Sequence, residues 1–238
     1  MARRRFFVDS FENGYAVLRG DEAKHLTRVL RAEAGQQYEL SDNRSVCLAE
    51  ITQVSPLEVR FQLLEPVESP PSPVRVTLVA SLIKFDRFEW LVEKATELGV
   101  ATILPVGAAR SEAGLLEASR KRVERWRKIA RESSQQSRRV TQPEILPPER
   151  LDRISIADFP LRFFLDEEPG SPSLMKSLQP LSAAPASVAV LIGPEGGWTP
   201  AERHNLAATW TAVSLGGQIL RAETAAIAAL AILMNFWS

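Results

Sequence analysis

Near its C-terminal end the chain twice runs from a short apolar segment into a glycine-rich loop. Val188 to Ile192 is followed by Gly193-Pro194-Glu195-Gly196-Gly197-Trp198, and Ala212 to Leu215 is followed by Gly216-Gly217. Apolar runs of this length are typical of buried strands, and glycine lets the backbone turn tightly or approach a ligand closely. Loops of this kind at the carboxyl ends of strands form ligand crevices in open α/β sheets. The pattern favours a ligand-binding α/β domain, with two ordinary connecting loops as the alternative.

Each loop leads into a predicted helix. Thr199-Pro200-Ala201-Glu202 is a capping box with proline at the first helical position, which indicates that a helix starts there. Glu223 and Thr224 open a second, very apolar helix from Ala225 to Trp237. Its run of about ten apolar residues is too short to span a bilayer. We expect this helix in the core or at a subunit interface, and we expect no membrane partner.

The composition of the 238 residues indicates a globular protein without a metal site or a disulfide. Apolar residues make up 45% of the chain, so a sizeable core can form. Basic and acidic residues are balanced at 29 each, so a nucleic-acid surface has to come from local clusters. The single cysteine, Cys47, excludes an internal disulfide and a cysteine-based zinc site, and the two histidines lie far apart in the sequence. A cytoplasmic protein without a signal peptide is the simplest interpretation.

Residues up to Glu68 predict a small β-rich module. Its five apolar segments are Arg5 to Val8, Tyr15 to Leu18, Gln37 to Leu40, Val46 to Thr52 and Leu57 to Leu64. A helix with Asp21 as N-cap, ending before Gly35, interrupts them. Basic side chains concentrate in this module, either as a solvated helix face and chain end or as an RNA-binding surface. They are Arg3, Arg4 and Arg5 at the N-terminus, and Lys24, Arg28 and Arg31 on one predicted helix face.

Three prolines, Pro70, Pro71 and Pro73, mark a break in the chain. Proline continues neither a helix nor a central strand, and closely spaced prolines stiffen a linker. We therefore predict one domain at residues 1–68 and a second at residues 74–238.

The second predicted domain opens with a strand–helix–strand pattern. Val74 to Ile83 and Val100 to Val106 are apolar strands, and Asp86 caps the intervening helix, which Gly99 closes. This order implies a parallel sheet with a right-handed crossover. Two further elements are predicted, namely a mostly polar helix from Arg120 to Arg139 and a strand from Leu161 to Leu165.

The glycine loops also carry a family resemblance. Gly193-Pro194-Glu195-Gly196-Gly197-Trp198, followed by Leu215-Gly216-x-x-Ile219-Leu220-Arg221-x-Glu223-Thr224-Ala225, resembles the RsmE-type 16S ribosomal RNA uracil-N3 methyltransferases of the SPOUT class. The resemblance implies an α/β C-terminal domain with a deep trefoil knot that binds S-adenosylmethionine, an N-terminal PUA-like β-barrel, and a homodimer. His25-Leu26-x-x-Val29-Leu30-Arg31 is similar to the helix of that barrel, which favours RNA as the partner of the basic cluster.

Individual site residues follow from the same resemblance. Gln136 and Arg139 match a Gln-Ser-x-Arg element of the family, with Arg138 where glycine is more usual. Together with Lys84 and the N-terminal basic residues they are the expected contacts to 16S ribosomal RNA or the small ribosomal subunit. The residues expected to bind the cofactor are Leu165, Ile192, Gly193, Gly197, Leu215, Gly216, Ile219, Leu220 and Ala222.

Glycine loops after strands also bind nucleotides, but neither nucleotide motif is present in these loops. A P-loop ends in Gly-Lys-Ser/Thr, and a dinucleotide site needs Gly-x-Gly-x-x-Gly. In addition, Glu195 would repel a pyrophosphate. S-adenosylmethionine, which carries a positive sulfonium and no phosphate, tolerates a nearby carboxylate better.

Methyl transfer to uracil N3 requires loss of the N3 proton, because the neutral imide is a poor nucleophile. Arg221 is the candidate that stabilises the resulting negative charge, and it is not the base because arginine stays protonated in proteins. Glu195 is either the base or a cap of the glycine turn through backbone N–H groups, and capping is favoured. Glu223 is expected to act as a helix-start residue through the helix dipole.

Two other functions stay open on the sequence. One is a SPOUT enzyme that methylates a ribose 2′-hydroxyl of RNA, and the Gly-Gly-Trp and Ile-Leu-Arg-x-Glu-Thr residues of the two motifs argue against it. The other is a non-catalytic RNA-binding or ribosome assembly factor, and the intact glycine loops together with Arg221 argue against it.

Overall fold

The computed structural model of the protein describes residues 4–69, 72, 74–155 and 159–237. The chain divides into two units, one formed by Met1–Pro71 with Arg131–Gln142 and the other by Ser72–Ala130 with Pro143–Ser238. The first unit is therefore discontinuous in sequence. Arg3 and the three prolines of the predicted linker lie outside the described residues.

The first unit is built on a curled five-stranded sheet. Its strands are β1 (Arg5–Phe7), β2 (Tyr15–Arg19), β3 (Gln37–Ser41), β4 (Val46–Val54) and β5 (Glu58–Pro66). The order across the sheet is β1-β3-β4-β5-β2, in which β1 and β3 are parallel and the other neighbours are antiparallel. Alternate apolar side chains of these strands, such as Leu18, Ile51 and Phe61, form a core of their own. All five predicted strands are confirmed to within two residues.

The predicted helix of this unit is shorter than expected. It begins as α1 (Gly20–Lys24) and continues as a π-helical turn, His25–Val29, in which the Leu30 N–H donates to the His25 carbonyl. Arg31 then takes a left-handed conformation with φ 51°, which ends the helix before it reaches the predicted boundary. The π-helical turn changes the angular spacing, so Lys24, Arg28 and Arg31 do not share one α-helical face as predicted.

A buried ion pair joins β1 to β3. The Arg5 guanidinium donates to a carboxylate oxygen of Glu39 at 2.8 Å, and the two residues are 3% and 5% exposed. Arg5 also donates to the Arg138 carbonyl, and Arg138 itself donates to Glu39. Arg138 has φ 55°, the left-handed conformation that glycine adopts most easily. The sequence resemblance implied that glycine is more usual at this position, and the structure accommodates arginine there because its guanidinium gains Glu39 as a partner.

The second unit contains a seven-stranded sheet in which all recorded pairs are parallel. The order is β12-β10-β11-β6-β7-β8, and β9 also pairs with β7. The strands are β6 (Arg75–Ser81), β7 (Thr102–Gly107), β8 (Glu144–Ile145), β9 (Glu149–Arg150), β10 (Leu161–Leu165), β11 (Ser187–Ile192) and β12 (Thr211–Val213). The parallel α/β sheet predicted for this part of the chain is confirmed.

Apolar side chains cover both faces of this sheet, as expected for parallel strands. In β11, Val188, Val190 and Ile192 belong to one core, whereas Ala189 and Leu191 belong to the core on the opposite face. The helices of the unit are α2 (Phe85–Glu97), α3 (Leu115–Ser119), the part of α4 (Val123–Gln136) up to Ala130, α5 (Leu174–Leu178), α6 (Pro200–Ala207) and α7 (Ala222–Asn235).

Three helices have ends that differ from the predictions. The N-cap of α2 is Lys84, so Asp86 lies inside the first turn rather than at the cap. The α-helical part of α4 begins at Val123 after a 3-10 turn, Arg120–Arg122, and it ends at Gln136 because Arg138 is left-handed. Helix α7 begins at Ala222 with Arg221 as its N-cap, three residues earlier than predicted.

The capping box at the start of α6 is confirmed. The Thr199 hydroxyl accepts from the Glu202 N–H at 3.2 Å, and the Glu202 carboxylate accepts from the Thr199 N–H at 2.9 Å. None of the described helices combines the length and apolarity needed to cross a membrane. Within the described ranges, no group of three His, Cys, Asp or Glu side chains is arranged to hold a metal ion.

Candidate functional site

The carboxyl ends of β10, β11 and β12 surround a cavity of about 670 Å³. It is lined by residues 165–171, by most of residues 192–198, and by residues 214–222. The lining includes all nine residues predicted to bind a cofactor and both residues predicted to be catalytic, Glu195 and Arg221. The sequence motifs therefore converge on one cavity, because the two glycine loops follow strands that lie on either side of β10.

The first glycine loop is held in place from several directions. The Trp198 indole N–H donates to the Leu165 carbonyl at 2.8 Å, and this ring is 3% exposed. The Arg110 guanidinium donates to the carbonyls of Gly196 and Trp198 at 3.0 and 3.2 Å. Gly197 has φ 68°, and a Cβ placed there would lie 2.6 Å from a Glu167 carboxylate oxygen. Only glycine fits this position without a shift of the neighbours.

The second glycine loop presents apolar and basic side chains at the cavity. Gly216 turns the chain with φ 121°. Ile219 and Leu220 are then 84% and 37% exposed, although both are large and apolar. Arg221 follows as an exposed N-cap of α7, and no hydrogen bond or ion pair to its guanidinium occurs among the described residues. An arginine without a protein partner at the edge of a cavity is available to a ligand.

Acidic side chains that follow β10 also line the cavity. Asp166 is 7% exposed and accepts three hydrogen bonds of 3.0 to 3.1 Å from Arg203, an interaction that raises the pKa of Arg203. Glu168 also pairs with Arg203, at 3.2 Å. Asp166, Glu167 and Glu168 were not among the predicted site residues. Their position directly after the predicted strand Leu161 to Leu165 was the signal that could have identified them.

The structure assigns Glu195 a different partner from the one predicted. Its carboxylate accepts from the guanidinium of Arg87 in α2, rather than capping the turn through backbone N–H groups. Glu223 does lie in the first turn of α7, as predicted for a helix-start residue, but it is 8% exposed and its carboxylate lies 4.0 Å from Arg87 Nε. Arg87 was not predicted as a site residue, because no motif joins it to residues so distant in sequence.

The predicted RNA-binding residues of the first unit have different environments. Arg4, Arg28, Arg31 and Gln136 are exposed, whereas Lys24 pairs with Asp21 at 3.0 Å. Arg5 is buried in its pair with Glu39, so its guanidinium is not presented to a phosphate as predicted. Arg139 is half-buried and donates to the Thr141 carbonyl at 3.0 Å, and burial lowers the pKa of Arg139 to about 10. In the second unit, Lys84 is exposed at the N-cap of α2. Arg3 lies outside the described residues.

Comparison with known families identifies the class to which this arrangement belongs. A family profile described as an RNA methyltransferase domain matches residues 70–234, and one described as an RNA methyltransferase PUA domain matches residues 18–64. The fold is therefore that of an RNA methyltransferase with a PUA domain. A ribosomal RNA small subunit methyltransferase E from Bacillus subtilis is 32% identical over 220 residues, which cover 89% of this chain and 86% of the relative. The chain belongs to the ribosomal RNA small subunit methyltransferase E family.

Solved structures show the same fold over nearly the whole chain. A ribosomal RNA small subunit methyltransferase E from Neisseria gonorrhoeae, bound to S-adenosyl methionine, has a TM-score of 0.86 and 27% identity, and the match covers 99% of this chain and 98% of that one. A putative methyltransferase from Legionella pneumophila, in complex with the bound cofactor SAM, also has a TM-score of 0.86, with 28% identity and coverage of 98% and 97%.

Proposed function

We propose that this protein uses S-adenosylmethionine to methylate N3 of a uridine in the 16S RNA of the small ribosomal subunit. The observation that carries the proposal is the cavity at the ends of β10, β11 and β12, where both family motifs meet. Membership of the ribosomal RNA small subunit methyltransferase E family supports the reaction class and the RNA.

The chemistry of the cavity fits S-adenosylmethionine. A volume of about 670 Å³ lies within the range of small-molecule sites. Leu165, Ile192, Leu215 and Ile219 offer apolar surface, and the glycines leave backbone groups accessible. The carboxylates of Glu167 and Glu195 suit a ligand with a positive sulfonium and an ammonium group, and they would disfavour a phosphate. When bound, this cofactor supplies an electrophilic methyl group.

Arg221 has the properties needed to act on the uracil. Its guanidinium lies at the edge of the cavity and has no hydrogen-bond or ion-pair partner in the described part of the chain. Once the N3 proton is lost, negative charge spreads onto the flanking carbonyl oxygens, and the planar guanidinium stabilises it. Glu195 is less suited to accept the N3 proton, because its carboxylate is engaged by Arg87.

The first unit is proposed to hold the RNA around the target base. Arg4, Arg28 and Arg31 are exposed and can contact phosphates, together with Gln136 and Arg139, whereas Arg5 serves the core of the unit. Lys84 is the proposed RNA contact of the second unit. We further propose that the protein acts in the cytoplasm as a homodimer in which a second subunit covers the exposed Ile219. The C-terminal trefoil knot also stays a prediction.

Mass mapping of methylated nucleosides tests this function. The protein is incubated with S-adenosylmethionine and undermodified small-subunit RNA, either free or in the assembled subunit. We expect 3-methyluridine at one position. A 2′-O-methylated nucleoside would favour the ribose alternative. RNA binding without methylation, and without cofactor binding by calorimetry, would favour a non-catalytic assembly factor.

A further inference from the structure

Arg87 lies outside the cavity lining but contacts elements that carry two of its three lining segments. It is the third residue of α2, and it is not among the residues that line the cavity. Its guanidinium donates to Glu195 of the first glycine loop, and its Nε lies 4.0 Å from Glu223, in the first turn of the helix that follows the second loop. The Arg87 side chain therefore lies beside both the first glycine loop and the start of α7, which follows the second glycine loop.

The interaction of Arg87 with Glu223 differs from an ordinary surface ion pair, because Glu223 is buried. Glu223 is 8% exposed, and its Oε2 is buried without a hydrogen-bond partner among the described residues. A buried carboxylate needs a nearby cation, since leaving it unpaired is costly. Arg87 is the cation that the structure places beside it. The side chains of Arg87 and Glu195 are 31% and 41% exposed, so this contact is only partly screened by water.

We propose that Arg87 is a positioning residue that orders the first glycine loop and the start of α7 before the cofactor and the RNA bind. This inference rests on the proposed function for its consequence, because the ordered loop is the one that contacts the cofactor. Arg87 acts through Glu195 and Glu223, and it does not touch the reacting atoms. The order that it imposes is a property of the unliganded protein and is measurable without any reaction.

Amide hydrogen exchange of the unliganded full-length protein tests the ordering directly. In Arg87→Ala, the amides of Glu195, Gly196, Gly197 and those in the first turn of α7 should exchange faster than in wild type. Arg87→Lys keeps the charge but loses the planar fork, so it should fall between the two. Arg125→Ala is the matched control, because Arg125 pairs at 2.6 Å with Glu89, also on α2, and neither residue lines the cavity. Wild-type exchange in Arg87→Ala would overturn the proposal.

Binding and turnover provide the second readout. Arg87→Ala should weaken the binding of S-adenosylmethionine about tenfold, which is typical of coupling between residues in contact, while the rate at saturating cofactor changes less. The double variant Arg87→Ala/Glu195→Ala should bind the cofactor no more weakly than the weaker single variant. Additive losses would mean that Arg87 does not act through Glu195 and would overturn the proposal.

Two further comparisons keep the result interpretable. If Arg87→Ala is unstable, the double variant Arg87→Ala/Glu223→Gln should recover part of the lost thermal stability, because it removes the uncompensated buried charge. No recovery would contradict the role assigned to Glu223. If wild type itself shows no binding of S-adenosylmethionine, the proposed function fails, whereas the exchange comparison still decides whether Arg87 orders the loop.

Discussion

At the scale of single residues, the structure places three arginines in three different environments. Arg5 is buried beside Glu39, and Arg87 pairs with Glu195 outside the cavity lining. Arg221 lines the cavity and has no protein partner in the described ranges. The same type of side chain thus stabilises the core of the first unit, contacts a loop of the second unit and is proposed to act on the substrate. The difference comes from burial and from the partner that each guanidinium meets.

Arg221→Ala should lose turnover about a hundredfold or more while it retains the fold and most of the cofactor affinity. Arg221→Lys should also be impaired, because lysine keeps the charge without the planar fork. Raising the pH should partly rescue Arg221→Ala, since more uracil N3 is then deprotonated without help. Single-turnover rates across pH measure both effects. Near-normal turnover in Arg221→Ala would remove this residue from the mechanism.

Glu39→Ala should destabilise the protein by about 3–5 kcal/mol, because it leaves the buried Arg5 guanidinium without its carboxylate partner. Arg5→Ala should cost less, because Arg138 still donates to Glu39. Replacing both by apolar residues, as in Arg5→Met/Glu39→Leu, should cost less than Glu39→Ala. Lys24→Ala is the control, since its pair with Asp21 is exposed and is expected to contribute less than about 1 kcal/mol. Denaturant unfolding of the wild type and the four variants gives their free energies of unfolding. Equal losses in Glu39→Ala and Lys24→Ala would contradict the structural role of the buried pair.

At the scale of elements, the first glycine loop is in contact with three other parts of the second unit. Its carbonyls accept from Arg110, its tryptophan is anchored to β10, and its carboxylate is held by α2. The loop is therefore shaped before a ligand arrives, which reduces the cost of ordering it on binding.

Gly197→Ala should disrupt this loop. Alanine at φ 68° is strained by about 1–2 kcal/mol. In addition, the exposed Glu167 side chain would have to move, because its carboxylate oxygen would lie 2.6 Å from the added Cβ. Gly114→Ala is the matched control, because Gly114 has φ 81° but nothing within 4 Å of the added Cβ. We expect both variants to lose thermal stability, and only Gly197→Ala to lose affinity for S-adenosylmethionine by calorimetry. Equal cofactor affinity in the two variants would show that the clash is relieved without moving the loop.

At the scale of the whole molecule, the first unit takes a segment from the middle of the sequence. Arg131 donates to the Phe7 carbonyl and to Glu22, Gln135 also donates to Glu22, and Arg138 donates to Glu39. Residues 1–71 alone lack all of these donors. The second unit contains every residue that lines the cavity.

A fragment of residues 1–71 should consequently be less stable than the same fragment joined to residues 131–142 through a flexible linker. The added segment restores the hydrogen bonds to Glu22 and Glu39 and compensates the buried carboxylate of Glu39. Thermal unfolding followed by circular dichroism compares the two fragments, and Arg138→Ala in the longer one serves as the control. The same unfolding temperature for both fragments would show that residues 1–71 fold without this segment.

The sequence by itself determined ten of the twelve strands named above, the parallel sheet of the second unit, the α6 capping box and the positions of both glycine loops. The two-residue strands β8 and β9 were not predicted. These are local properties, set by apolar runs, by capping chemistry and by the conformational freedom of glycine. The family motifs also named Arg221 and the nine residues that line one cavity. The local sequence pattern predicted helix ends less well. The π-helical turn after Lys24 and the left-handed conformations of Arg31 and Arg138 depend on tertiary contacts, which a local pattern does not contain.

Only the tertiary structure decided which charges meet. Arg87 reaches Glu195 across 108 positions of sequence, and Arg138 reaches Glu39 across 99. A charged residue carries no local sign of a partner so far along the chain, since an ion pair depends on how strands and helices are brought together in space. The burial of Arg5 and the pairing of Arg87 with Glu195 were therefore settled by packing, not by sequence pattern.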